Sequence, residues 1–109
     1  MTSATLAWVL DRLNQGERVA LASVVEASGS VPGKPGARMA LTNLRNRHGT
    51  IGGAGLELKV EKHLRQMLAN GSSTSRVETY VLHRDAKGQE VTALNSLCGG
   101  RVTVSLEVL

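Results

Sequence analysis

Residues 17–42, ERVALASVVEASGSVPGKPGARMALT, decide how the rest of the chain is read. ERVALASVVEA is valine-rich and ends at a Ser-Gly-Ser turn signal, the pattern of a buried strand, and ARMALT reads as a second, shorter one. Between them Gly29, Gly33, Gly36, Pro32, Pro35 and Lys34 form a connection that cannot continue either strand. Upstream, Leu6, Val9, Leu10 and Leu13 recur at helical spacing, with Thr5 as N-cap and Gly16 as the closing glycine, which predicts a helix over residues 5–15.

Downstream, NRHG (46–49) resembles a turn and TIGGAG leads into GLELKVEKHLRQMLANG. There Leu56, Val60, Leu64, Met67 and Leu68 form one apolar stripe, closed by Gly71. SRVETYVLHR alternates polar and apolar residues as a half-solvated strand does, DAKG is a hairpin turn into QEVTAL, and RVTVSLEVL alternates again. The expected architecture is α/β or α+β: one domain of 109 residues, with two main helices packed on a mixed β-sheet.

With 41% apolar residues the chain can bury one core. It has no apolar run of about 18 residues and no signal-peptide pattern at its start, so a cytoplasmic location is expected. The net charge is +4, and it is concentrated: no acid occurs between Glu26 and Glu57, while Lys34, Arg38, Arg45 and Arg47 all lie there. Such a stretch attracts phosphate on a small ligand or on nucleic acid, or is simply a solvated basic face. With no Phe, one Trp and one Tyr, the chain lacks the aromatic platform on which nucleic-acid bases stack.

Three glycine-rich sites carry the candidate chemistry. GSVPGKPG is not a P-loop: three residues rather than four separate Gly29 from Gly33, and Pro35 follows Lys34 where a hydroxyl is needed. By itself it is a Pro-Gly turn. TIGGAGLE places Gly52, Gly53 and Gly55 at the start of the strongest helix, where free N–H groups favour an anion, and puts Glu57 in the first turn. It does not match the dinucleotide fingerprint. In SLCGGRVTV, the lone thiol Cys98 is flanked by Gly99, Gly100 and Arg101, a setting that lowers a thiol pKa; a buried inert cysteine is the alternative. His63 and Met67 share a helix face and mark the edge of the core, whereas His48 and His83 have no ligand partner at useful spacing.

In their order along the chain, SVVEASGSVPGKPGARMAL, GTIGGAGLE and LCGGRVTVSLEVL resemble the N-terminal domain of the XdhC/CoxI family, accessory proteins of molybdenum hydroxylases. Gly29, Ser30, Pro32, Gly36, Arg38 and Met39 match the first motif, Gly49 through Glu57 the second, and Cys98, Gly99 and Gly100 the third. Three features depart from the pattern: Gly33 stands where arginine is common, Asn95-Ser96-Leu97 precedes the cysteine, and the chain ends where longer members continue into a Rossmann-type domain.

The resemblance implies a maturation factor rather than an enzyme. Such a protein binds molybdenum cofactor as cargo, assists its sulfuration and delivers it to the apo-hydroxylase. It implies Ser30, Lys34, Arg38, Gly52, Gly53, Glu57, Cys98, Gly99, Gly100 and Arg101 as cofactor-binding residues, with Cys98 able to approach molybdenum. A cysteine desulfurase or a separate Rossmann-domain subunit are the further partners it suggests, together with a homo-oligomer. An interaction subunit without cofactor affinity and a basic nucleic-acid module remain as alternatives.

Overall fold

The computed structural model describes residues 3–29, 34–71, 74–84, 90–91 and 97–109. Its elements run α1 (Ala4–Asn14), β1 (Val19–Ser28), β2 (Arg38–Thr42), β3 (Arg47–Thr50), α2 (Ala54–Ala69), β4 (Ser75–Arg84), β5 (Glu90–Val91) and β6 (Leu97–Val108). The strands form one sheet in the order β3-β2-β1-β6-β4-β5. The α+β class with two helices on a sheet therefore holds, but every pairing is antiparallel rather than mixed. A helix between two strands suggests a parallel crossover. Here α2 instead joins strands that are not neighbours, because β6 returns to fill the centre between β1 and β4.

Helices cover both faces, and β1 explains how. Its Ala20, Ala22 and Val24 join Met39, Leu41, Val102, Val104 and Leu106 under the apolar stripe of α2. The alternate residues Val19 and Leu21 pack with Ala40 against Val9, Trp8 and Leu13 of α1. Period-two alternation thus feeds two cores from a single strand. All five predicted stripe residues of α2 are buried.

Helix α1 ends in a Schellman motif: Glu17 N–H donates to Arg12 O, Gly16 N–H donates to Leu13 O, and Gly16 sits at φ +85°. Its start differs from expectation. Ser3 occupies the N-cap, and Thr5 lies inside the helix, buried, with its hydroxyl 3.2 Å from His48 Nδ1. The expected turn at NRHG is strand β3, in which His48 pairs with Ala40 and Gly49 with Met39. The turn falls earlier, where Arg45 N–H bonds to Thr42 O and Thr42 N–H to Asn46 O. Cross-strand pairing and stacking of His48 on Trp8, centroids 5.5 Å apart, outweigh the local turn signal. The DAKG turn and most of QEVTAL lie outside the described residues. No helix among the described residues is long and apolar enough to cross a membrane.

Candidate functional site

Strand registry sets the relation between the three glycine-rich sites. Arg38, the first residue of β2, pairs with Ser23 on one side and with Thr50, the last residue of β3, on the other. After Thr50 come Ile51 and then Gly52 and Gly53, which lead into α2. The first two sites therefore meet at one end of the sheet. Arg101 of β6 pairs with Ser28, five residues beyond Ser23. At about 3.3 Å per residue this carries the start of β6 roughly 16 Å further along the sheet. The third site shares the same end: it adjoins the Gly29 start of the first loop and stands apart from that loop's Arg38 end and from the second site.

The described half of the first loop is a tight turn. Ala37 N–H donates to Lys34 O, with Pro35 and Gly36 between them, and Gly36 has φ +94° as the third residue of a type II turn requires. Gly36 N–H and Ala37 O both bond to Val24, which fastens the turn to β1 and leaves Lys34 exposed. Ser30 and Gly33 lie outside the described residues.

At the second site Glu57 reaches back from α2 over the preceding loop. Its Oε2 accepts from the Ile51 and Gly52 N–H groups, each at 3.1 Å, and from the Thr50 hydroxyl; its Oε1 accepts from Arg47 Nη2 at 3.0 Å. Burial alone would raise the carboxyl pKa, but the bonds from Thr50, Arg47 and Ile51 outweigh it and hold the group below the ordinary glutamate range. Arg47 also binds Glu61 at 3.1 Å, so one of the four cations in the basic stretch is neutralised within the chain. The anion seat expected at Gly52 is thus occupied by the protein's own carboxylate. Gly53 is the N-cap of α2 at φ +56°, and its carbonyl accepts from Glu57 N–H.

Gly49, the first residue of the second motif, has a defined steric reason to be glycine. With φ +84°, an added Cβ would lie 2.4 Å from Arg38 O and 2.9 Å from Thr5 Oγ1.

At the third site the β4–β6 register shifts between Leu82 and His83: Gly100 pairs with Leu82 and Cys98 with His83, so Gly99 is the extra residue of a bulge. Gly100 lies at φ +131°. Arg101 is exposed, and its neighbour Val102 points into the α2 core, so Arg101 belongs to the opposite face. Arg38 likewise alternates with Met39 and shares that face. The start of α2 and the two arginines are therefore separated by the sheet.

Several of these relations escaped the sequence reading. Arg47 and Thr50 as partners of Glu57 depend on β3, which was not recognised. His63 bonds to the Tyr80 hydroxyl at 2.6 Å, and burial first of all pushes that tyrosine up to about 12, while Met67 is buried beside them in the core; both readings as a core edge hold. No group of three or more metal-ligating side chains occurs among the described residues.

A two-sided α+β sheet with glycine-rich loops gathered at one end defines the class. The family model described as "XdhC and CoxI family" matches residues 12–81, and the chain belongs to that family. A solved structure of a xanthine dehydrogenase from Bacillus halodurans is similar, with a TM-score of 0.69 at 20% identity, covering 97% of this chain and 30% of that one. That likeness concerns the fold, and the chain spans less than a third of the solved relative. A comparison with curated proteins gave no match.

Proposed function

We propose that this chain is the cofactor-handling domain of a molybdenum hydroxylase maturation factor, which binds molybdenum cofactor as cargo, assists its sulfuration and passes it to the apo-enzyme without turnover of its own. Family membership supports the association with molybdenum hydroxylases. The observation that carries the cofactor reading is the gathering of three glycine-rich backbones at one end of the sheet, with Lys34, Arg38 and Arg101 as cations there.

The ligand chemistry agrees with that donor set. A pterin bearing a dithiolene and a phosphate calls for cations, backbone donors beside bare glycine, and a soft ligand. Because Glu57 fills the seat at Gly52, the phosphate is assigned to the face of Arg38 and Arg101 rather than to the start of α2. An elongated ligand also suits the displacement between Arg38 and the Cys98-Gly99-Gly100 bulge. Cys98 is the group proposed to approach molybdenum.

Titration of the purified protein with molybdenum cofactor tests this reading. Wild type is expected to bind, Cys98→Ala at least tenfold more weakly and Arg101→Ala also more weakly, with circular dichroism confirming the fold of each. Equal affinity of Cys98→Ala would remove the thiolate contact, and no binding by wild type would remove the cargo role. In the latter case the alternative is an interaction subunit without cofactor affinity, pairing with a separate Rossmann-domain partner.

A further inference from the structure

The opposite end of α2 holds an open pocket of about 240 Å³ lined by Thr42, Asn43, Arg45, Arg65, Leu68 and Ala69. It lies at the far end of both β2 and α2 from the glycine-rich sites, about 24 Å away by the length of a 16-residue helix. Its size falls below the roughly 300 Å³ at which coenzyme-sized pockets begin. A compact group fits it better than a whole cofactor.

The lining contains two arginines and no acidic residue. Among the described residues no salt bridge engages Arg45. Arg65 meets Glu61 only through Nε, at 3.6 Å, which leaves its terminal nitrogens available. The carbonyl ends of a helix would ordinarily repel an anion, but Arg18 Nη1 donates to Leu68 O at 2.7 Å and covers one of the nearest. The side-chain oxygens of the turn are already engaged: Thr42 Oγ1 accepts from Leu44 and Asn46 N–H, and Asn43 Oδ1 accepts from Arg18 N–H. Arg45 and Arg65 are thus the cationic groups of this pocket with donors to spare.

A second observation is the backbone of Arg45. It is the non-glycine residue with positive φ, +67°, among those described, at the left-handed position of the β2–β3 turn where glycine or asparagine is the ordinary choice. Residues held in that region at a conformational cost cluster at ligand-binding sites.

We propose that this pocket binds a phosphate group, gripped between the Arg45 and Arg65 guanidinium forks. A tetrahedral dianion presents oxygens to two forks arriving from different elements, whereas a planar carboxylate suits one bidentate partner. The phosphate is either free or the end of a small phosphomonoester, since the open mouth admits a substituent. This site is independent of the proposed cofactor site.

The test is a titration of isotopically labelled protein, followed by ¹H–¹⁵N NMR at constant ionic strength, with inorganic phosphate, glycerol phosphate and acetate. Phosphate is expected to shift the amides of residues 42–46 and 65–69 in a saturable way, and acetate not to. Tighter binding of glycerol phosphate assigns an ester as the source, and equal binding assigns free phosphate. Arg45→Gly and Arg65→Ala should each weaken binding at least tenfold. Arg45→Gly should melt no lower than wild type, because glycine accepts the positive φ, so its loss of binding cannot be blamed on misfolding. Arg76→Ala, exposed on β4 and outside the lining of the pocket, should change affinity less than twofold. Shifts that acetate reproduces, or that survive both arginine substitutions, would overturn the proposal.

Discussion

The two ends of α2 treat charge in opposite ways. At its start Glu57 gathers two backbone N–H groups, the Thr50 hydroxyl and Arg47, so donors and cation are satisfied inside the chain. At its end Arg45 and Arg65 face a pocket without a carboxylate in its lining. Both ends agree with the helix dipole, which favours a carboxylate at the start and cations at the end; they differ in whether the chain itself supplies the counter-charge. The lesson is that a helix start is an anion site only when the chain leaves it empty.

The largest expected effect comes from the support of the closed end. Gly49→Ala forces a Cβ against Arg38 O at a positive φ, and should cost about 3 kcal/mol or more, seen in urea or thermal unfolding. A loss under 1 kcal/mol would mean that β3 can move away from β2. Next is Glu57→Ala, which leaves the Ile51 N–H without its acceptor, the Gly52 N–H with Thr50 Oγ1 alone and Arg47 with Glu61 as its remaining carboxylate. About 2 kcal/mol should be lost, and added phosphate should recover part of it by taking the vacated place.

The pH profile follows with a smaller effect. Because the folded carboxyl of Glu57 is held below its unfolded value, its contribution is fully present above the ordinary glutamate range and is lost as pH falls through the lowered folded value. Asp11 and Glu17 are lowered as well, Asp11 chiefly by the bond from Arg12 and Glu17 chiefly by that from Asn46. The signature is therefore a difference: the acid limb of stability against pH should be shallower in Glu57→Ala than in wild type. Parallel limbs would show that Glu57 titrates alike folded and unfolded. The smallest effect belongs to the open end, where Arg45→Gly should be neutral or stabilising by about 0.5–1 kcal/mol.

Legibility in the sequence followed the range of the interaction. The stripe of α2, the β1 run, β4 and the glycine that closes α1 are local patterns, and each stands where the pattern puts it. Strand β3 was missed because Asn46-Arg47-His48-Gly49 carries turn residues, and only pairing with β2 and the Trp8–His48 stack make it extended. The network around Glu57 was invisible for the same reason. The three glycine-rich motifs were found by order and spacing, but their relative placement required the registers of β1 with β2 and with β6.

Periodicity, turn residues and charge counts by themselves determined two amphipathic helices, the principal strands, the family resemblance and the basic stretch. Those properties depend on neighbours within a few positions, where 3.6-residue and two-residue repeats dictate which side chains share a face. The antiparallel order β3-β2-β1-β6-β4-β5, the split of Arg38 and Arg101 from the start of α2, the capture of that start by Glu57 and the pocket between Arg45 and Arg65 were decided by tertiary structure alone. Each joins residues distant in the chain, and their meeting is set by which apolar faces bury together rather than by any local preference.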